Sequence, residues 1–196
     1  MNRSKDGYRM YSGKAYPDIR TIREKGVVRN DNDRKRALKA NENLMKEFRT
    51  VKFQIPKGIP YNIRYVFRGD DMNTLTPLKN GMLSKVFPSY VSFSRDVSVA
   101  YKFAFKLNKP IIFMLDLKSI SKQVPVVYNG LWKFKSFNPH EKEVLLPPGK
   151  LFVHKRAYEY VKLSNAHASI PVHVVSYAPN KAVTNVRTGS INPYRR

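Results

Sequence analysis

The segment His140-Glu-Lys-Glu-Val-Leu-Leu-Pro-Pro-Gly149 places two acidic residues at the start of an apolar run that a Pro-Pro-Gly turn ends. The run Val144–Leu146 predicts a short buried strand. In an extended chain, residues two positions apart point to the same face. We therefore expect the carboxylates of Glu141 and Glu143 to project together, with their backbones about 6.5–7 Å apart. An isolated Glu-x-Glu pair is usually a solvated turn, so a functional interpretation needs support from other segments.

Paired carboxylates suit the cleavage of a glycosidic bond, because a carboxylate stabilises the positive charge of an oxocarbenium transition state. Two upstream segments fit such a site. In Tyr65-Val-Phe-Arg-Gly69 an arginine at a strand end can bind a pyrophosphate with its fork of N–H donors, and glycine allows a close approach to the backbone. Tyr90-Val-Ser-Phe-Ser94 places two hydroxyls before a helix predicted over Val97–Phe105, where serines also serve as helix caps.

In this order the three segments resemble the arginine–serine–glutamate class of ADP-ribosyltransferases, which includes clostridial toxins, vertebrate ecto-enzymes and phage-encoded enzymes. The resemblance extends from about Asn62 to Tyr177. Two features depart from the family: Phe93 stands where threonine is usual, and the N-terminal helical region is shorter. The matching residues are Phe67-Arg68-Gly69, Tyr90-Val91-Ser92-Phe93-Ser94 with Ala100-Tyr-Lys-Phe-Ala104, and Glu141-Lys-Glu-Val-Leu-Leu-Pro-Pro-Gly149.

The resemblance implies a role for each matched residue. Glu143 would be the catalytic glutamate, which bonds the nicotinamide ribose and stabilises the oxocarbenium ion. Ser92 would brace Glu143 and the ribose. Arg68 would hold a phosphate or ribose of NAD, and the backbone of Gly69 would bond the nicotinamide amide.

Glu141 would receive or orient the guanidinium of an acceptor arginine. A protonated guanidinium is a poor nucleophile, so a carboxylate that binds it and accepts a proton meets a chemical need. Family members that modify other residues usually have glutamine at the position of Glu141. This residue therefore favours arginine of a target protein as the acceptor.

Two further segments are candidates for binding. Phe103 is expected to pack on nicotinamide, and Lys109 or Lys106 to reach a phosphate; the alternative is a helix end with solvated lysines and core aromatics. A second segment is expected to recognise the protein target. Stacking on nucleic-acid bases and an ordinary amphipathic edge strand are its alternatives. Its aromatic residues are Trp132, Phe134 and Phe137.

The predicted fold class is α+β, since the predicted strands outnumber the helices and do not alternate with them. The resemblance implies two small packed β-sheets around an NAD cleft, with an N-terminal helix predicted over Asp33–Phe48. We expect one domain, divided into an arm and helix (1–60), a catalytic core (61–180) and a basic tail (181–196). The predicted strands are Ile63–Phe67, Tyr90–Phe93, Ile111–Leu117, Val144–Leu146, Leu151–Val153, Tyr158–Leu163 and Val172–Tyr177.

Composition narrows the class of function. The net charge of +23 would attract polyanions, although it also serves solubility. The absence of cysteine excludes disulfides, thiolate zinc sites and a cysteine nucleophile. Glycine-rich dinucleotide loops are missing, so NAD would not bind in the Rossmann manner. The four histidines lack metal-ligand spacing, and we expect neither a metal nor a cofactor, because NAD is consumed as substrate.

The first twenty residues do not resemble a secretory signal, and no apolar run is long enough to span a bilayer. We expect a monomer in the cytoplasm, either of its own cell or of a host cell in which it would act as an effector near nucleic-acid machinery. Two alternatives to a protein-arginine transferase remain open. One is the same chemistry on a nucleic acid or on water, and the other is a non-catalytic, basic nucleic-acid-binding protein.

Overall fold

The computed structural model describes residue 19 and residues 30–51, 64–120, 127–128, 139–163 and 168–180. The predicted tail 181–196 lies outside these ranges. So do the three aromatic residues predicted to recognise the target: Trp132, Phe134 and Phe137.

Two α-helices are described. Helix α1 (Asp31–Val51) begins two residues before the predicted start, because the side chain of Asn30 caps it. The Asn30 Oδ1 atom accepts the N–H of Asp33 at 2.8 Å, which satisfies one donor of the first turn. Helix α2 (Val97–Ala104) ends one residue before the predicted end and has Asp96 as its N-cap.

Within the described ranges, nine strands form one continuous hydrogen-bond ladder in the order β2-β3-β8-β9-β5-β1-β4-β7-β6. Neighbouring strands are antiparallel except β5 and β9, which are parallel. The strands are β1 (Tyr65–Asp71), β2 (Thr76–Pro77), β3 (Leu83–Phe87), β4 (Val91–Ser94), β5 (Pro110–Asp116), β6 (Val127–Tyr128), β7 (Glu143–Leu146), β8 (Gly149–Val161) and β9 (Ile170–Pro179).

The ladder folds over on itself. Strands β7 and β8 are five ladder positions apart, about 24 Å if the sheet were flat. Only Pro147 and Pro148 connect them, and three Cα–Cα steps span at most about 11 Å. The two halves of the ladder must therefore pack face to face. These halves correspond to the two predicted sheets, and the α+β class is confirmed.

Apolar residues from both halves fill the space between them. Phe93 and Val144 from one half and Leu151 and Val175 from the other belong to the same buried cluster. A smaller cluster lies on the opposite face of the sheet, where α2 packs against β1 and β5, and residues of β9 belong to the same cluster. Among the described helices, none combines the length and the apolar character of a membrane span.

Strand β3 was not among the predicted strands, for a physical reason. Its core-facing positions are Leu83, Lys85 and Phe87, so a lysine interrupts the apolar alternation. The two strands predicted over Leu151–Val153 and Tyr158–Leu163 form one long strand, β8, whose pairing with β9 shifts register at two places. Such bulges let a strand continue where its sequence pattern breaks.

Candidate functional site

The three sequence motifs lie on three neighbouring strands, β1, β4 and β7. Phe67 of β1 is opposite Ser94 of β4, and Ser94 is opposite Glu143 of β7. Arg68 and Glu143 therefore lie on strands two ladder steps apart, about 10 Å. The side chains of Arg68 and Glu143 nevertheless leave the sheet on opposite faces, because Phe67, and not Arg68, is in register with Ser94 and Glu143.

Arg68 is held by contacts along its guanidinium. Its Nε donates to Asp70 Oδ2 at 3.1 Å, and its Nη1 donates to the carbonyl oxygen of Ser92 at 2.9 Å. Its Cζ lies 5.2 Å from the ring centre of Phe87, within the range of a cation–π contact. The side chain remains 26% exposed, so a ligand can reach the restrained guanidinium.

Asp70 is the buried anion of this cluster. Its Oδ1 accepts Lys85 Nζ at 2.6 Å, and Lys85 Nζ also lies 2.8 Å from the hydroxyl of Thr74. Burial acts to raise the pKa of Asp70, but Arg68 and Lys85 outweigh it, so the pKa lies below its ordinary value. Asp70 is therefore a carboxylate shared by two cations.

The sequence interpretation did not include Asp70 or Lys85. A signal for Asp70 was available, because residues two apart on a strand share a face, and Asp70 follows Arg68 by two. Lys85 is 15 residues further along the chain, and only the pairing of the strands brings it near.

Tyr177 is a buried residue close enough to Arg68 to feel its charge. Its buried hydroxyl donates to the carbonyl oxygen of Pro147, at the crossing between the two halves of the ladder. Burial raises the pKa of Tyr177 well above its usual value, and the positive charge of Arg68 acts in the opposite direction. The phenol therefore stays protonated as a donor.

The sequence pattern predicted that Glu141 and Glu143 lie on one face of a strand. In the structure they do not, because only Glu143 belongs to a strand. Glu141 ends a 3-10 turn (Pro139–Glu141), whereas Glu143 is the first residue of β7. Lys142 between them has a left-handed backbone with φ of 47°. Glu143 is buried, with 6% of its surface exposed, and Glu141 is partly exposed. The pair thus combines a fixed carboxylate with one on a turn.

The register distinguishes the two serines of β4. Ser92 lies opposite Leu145, and Ser94 lies opposite Glu143. Because side chains alternate between the two faces of a sheet, Ser92 and Ser94 both point to the face of Glu143. Arg68 points to the other face, and its guanidinium reaches β4 at the carbonyl oxygen of Ser92. Ser94 was not among the predicted site residues, although its hydroxyl donates to the carbonyl oxygen of Glu141 at 2.7 Å.

Gly69 is required by helix packing. A Cβ at this position would lie 2.2 Å from the carbonyl oxygen of Ala100 and 2.6 Å from the backbone nitrogen of Ala104. The sequence interpretation attributed this glycine to the approach of a ligand, but in the structure α2 is the close neighbour on the Cβ side. The predicted bond from the Gly69 backbone to nicotinamide stays a prediction.

The residues predicted to cover NAD lie on the surface near the end of α2. Phe103 is 58% exposed, which leaves its ring accessible for stacking on a ligand. Lys106 and Lys109 are also exposed. The carbonyl oxygen of Lys109 accepts the N–H of Met72, which connects this segment to the end of β1.

A hollow of about 110 Å³ lies apart from these motifs. Two of the four histidines border it, and His173 Nδ1 lies 3.3 Å from the carbonyl oxygen of His154. None of the predicted site residues lines this hollow. Its lining residues are Met72, Gly81, Leu83, Ile111, Val153, His154 and His173.

Neither a protein-family model nor a curated protein sequence matches this chain. Solved structures do match it. Exoenzyme S from Pseudomonas aeruginosa, in complex with human 14-3-3 protein beta and bound to carba-NAD, has a TM-score of 0.52 at 13% identity, with 88% of this chain and 72% of that chain covered. C2-I, the enzymatic component of the C2-toxin from Clostridium botulinum, has a TM-score of 0.54 at 15% identity, with 89% and 43% covered.

This chain therefore spans less than half the length of the C2-I chain. At these identities the likeness concerns the fold. The shared architecture confirms the predicted α+β fold, which this chain has in common with exoenzyme S and C2-I.

Proposed function

We propose that this protein is a mono-ADP-ribosyltransferase, which cleaves NAD at the nicotinamide–ribose bond and transfers ADP-ribose to arginine of a target protein. The observation that carries the proposal is the convergence of three motifs, distant in sequence, on the neighbouring strands β1, β4 and β7. A generic basic protein with this fold has no need for a buried Glu143 or for an arginine held by Asp70 and Ser92.

The proposed reaction divides among the site residues. The bond from C1′ of the ribose to nicotinamide breaks, and its electron pair leaves with nicotinamide. Glu143 stabilises the cationic ribose, and Arg68 binds an anionic phosphate of the substrate. A guanidinium nitrogen of the acceptor then bonds to C1′, and its proton passes to the carboxylate of Glu141.

The surroundings of these residues support the assignment. Glu143 is buried next to the backbone of β4, where a carboxylate acts more strongly on a developing charge than it would in water. Arg68 presents a restrained guanidinium, which loses little freedom on binding an anion. Exoenzyme S, which has a similar fold, is bound to carba-NAD in its structure, and this similarity supports the assignment.

The test is incubation with NAD labelled in the adenylate moiety, together with a lysate as the source of targets. We expect a labelled protein band. Glu143→Gln should lower both NAD cleavage and transfer by about 10²–10³-fold, since removal of one electrostatic stabiliser has effects of that size. Glu141→Gln should abolish most of the transfer and spare much of the hydrolysis. Full transfer by Glu143→Gln would exclude this mechanism.

A nucleic acid is the second candidate acceptor, and the net charge of +23 favours it. The chemistry up to the cleavage of NAD would be unchanged. Digestion of the labelled product with nuclease separates the two candidates. Label that remains on a protease-sensitive band supports protein, whereas label released as small nuclease fragments supports nucleic acid.

The proposed partners follow from this chemistry. They are NAD and a protein with an accessible arginine, which the basic surface would meet in a nucleic-acid-associated complex. We propose Phe103 and Lys109 as further contacts to NAD, because Phe103 in the last turn of α2 and Lys109 beyond its end are both exposed. Alanine at either position should raise KM for NAD more than it lowers kcat.

A further inference from the structure

The turn between the two glutamates is tied to the end of β4 by backbone-directed hydrogen bonds. Ser94 Oγ donates to the carbonyl oxygen of Glu141 at 2.7 Å and accepts the N–H of Asp96 at 3.0 Å. The N–H of Arg95 donates to the carbonyl oxygen of Lys142 at 3.1 Å. The backbone of the turn is therefore held at two consecutive residues.

Asp96 extends this attachment to side chains. Its Oδ2 accepts Lys142 Nζ at 2.8 Å. Its Oδ1 accepts the N–H and the hydroxyl of Ser98 at 3.0 and 2.8 Å, in the first turn of α2. One carboxylate thus caps the helix and holds the residue that separates Glu141 from Glu143.

The conformation of Lys142 explains why the turn needs this attachment. Its φ of 47° is left-handed, and among the described residues it is the only non-glycine with positive φ. A residue with a Cβ adopts this region at a cost, so the surroundings must hold it there. This conformation lies between the two glutamates and therefore sets the relative direction of the backbone at Glu141 and Glu143.

We propose that Asp96 and Lys142 form a clamp that positions Glu141 relative to Glu143 and thereby sets the partition of ADP-ribose between the acceptor and water. This inference rests on the proposed function. Glu143 belongs to β7 and is fixed by the ladder, whereas Glu141 lies outside every strand. Opening the clamp should therefore displace Glu141 more than Glu143, so that transfer falls more than NAD cleavage.

The experiment compares four variants for the ratio of transfer to hydrolysis. Asp96→Asn removes the charge but keeps the helix cap, because asparagine caps as well as aspartate. Lys142→Met removes the ammonium. We expect each to lower the ratio about two- to fivefold, the range for a surface ion pair, with nearly unchanged NAD cleavage. Lys142→Arg and Ser98→Ala are the matched controls and should keep the wild-type ratio.

A second readout does not depend on activity. Hydrogen exchange of the Arg95 amide, which donates to Lys142, should become faster in Asp96→Asn and Lys142→Met but not in Ser98→Ala. An unchanged ratio, or equal losses of transfer and cleavage, would overturn the proposal. A wild-type chain that cleaves no NAD would overturn the proposed function and the partition role together. The exchange rates would then decide separately whether the clamp orders the turn.

Discussion

The Arg68 cluster and the glutamate turn hold their charged groups in different ways. Arg68 and Lys85 flank a buried carboxylate, Asp70, and their strands are fixed by the folded ladder. In the clamp, by contrast, Lys142 is 51% exposed and the Asp96 side chain 30% exposed. One region relies on a desolvated ion network, and the other on hydrogen bonds at the surface.

This difference suggests a division of labour for the proposed enzyme. An anchor for the substrate benefits from rigidity, because a preorganised guanidinium need not be ordered during binding. A turn that contacts a large acceptor benefits from a conformation that can adjust at a small cost in free energy. The energetic consequence is testable: substitutions in the Arg68 region should cost much more stability than substitutions in the turn.

The largest effect is expected for Asp70→Asn. Removing this charge leaves Arg68 and Lys85 without their shared anion, and breaking a buried pair costs about 3–5 kcal/mol. Urea denaturation measures the loss. Asp116→Asn is the control. Asp116 pairs with Arg64, whose side chain is 52% exposed, so this substitution should cost about 1 kcal/mol or less in the free energy of unfolding. Equal losses in the two variants would remove the distinction between buried and surface pairs.

Gly69→Ala tests the contact that supports the Arg68 strand. The new Cβ would collide with the backbone of α2, and backbone atoms cannot move aside as a side chain can. We expect a loss of about 1–3 kcal/mol or more in the free energy of unfolding. Gly81→Ala is the comparison: space is open there, so only its φ of 75° opposes a side chain, at about 1 kcal/mol. A neutral Gly69→Ala would contradict the close packing of helix and strand.

Tyr177→Phe addresses the crossing between the two halves of the ladder. The change leaves the carbonyl oxygen of Pro147 without its phenol donor, which should cost about 1–3 kcal/mol. Thermal or chemical denaturation measures this loss, with Tyr65→Phe at an exposed position as the control. Equal stability of the wild type and Tyr177→Phe would mean that the crossing is held by apolar packing alone.

The smallest effect is expected for Asp96→Asn, and it depends on pH. Bonds from Lys142 and Ser98 lower the pKa of Asp96 from 3.8 to about 2, so the folded state favours the carboxylate. The stabilisation is present above pH 3.8 and is lost as the pH falls towards 2. We expect a few tenths to about 1 kcal/mol, because the pair is at the surface. The stability difference between wild type and variant should vanish over this pH range. A constant difference would assign the effect to something other than ionisation.

The sequence by itself determined the fold class and the identity of the motifs. The apolar runs around Val91, Phe113 and Val144 marked real strands, since their alternation or continuity reflects burial in a sheet. The helix after Ser94 was predicted to within one residue, because the spacing of Ala100 and Ala104 is a local signal, whereas its N-cap, Asp96, was not predicted. Local patterns of this kind depend on a few neighbouring residues, and a sequence displays them directly.

Only the tertiary structure decided how distant residues meet. The pairing of Lys85 with Asp70, the opposition of Ser94 and Glu143, and the role of Gly69 against α2 each depend on strand order and register. The left-handed Lys142 is a further case, because its conformation is held by contacts from β4 and from the cap of α2. These contacts join residues that are distant in sequence, so they depend on how the chain folds over long loops and cannot be predicted from the spacing of neighbouring residues.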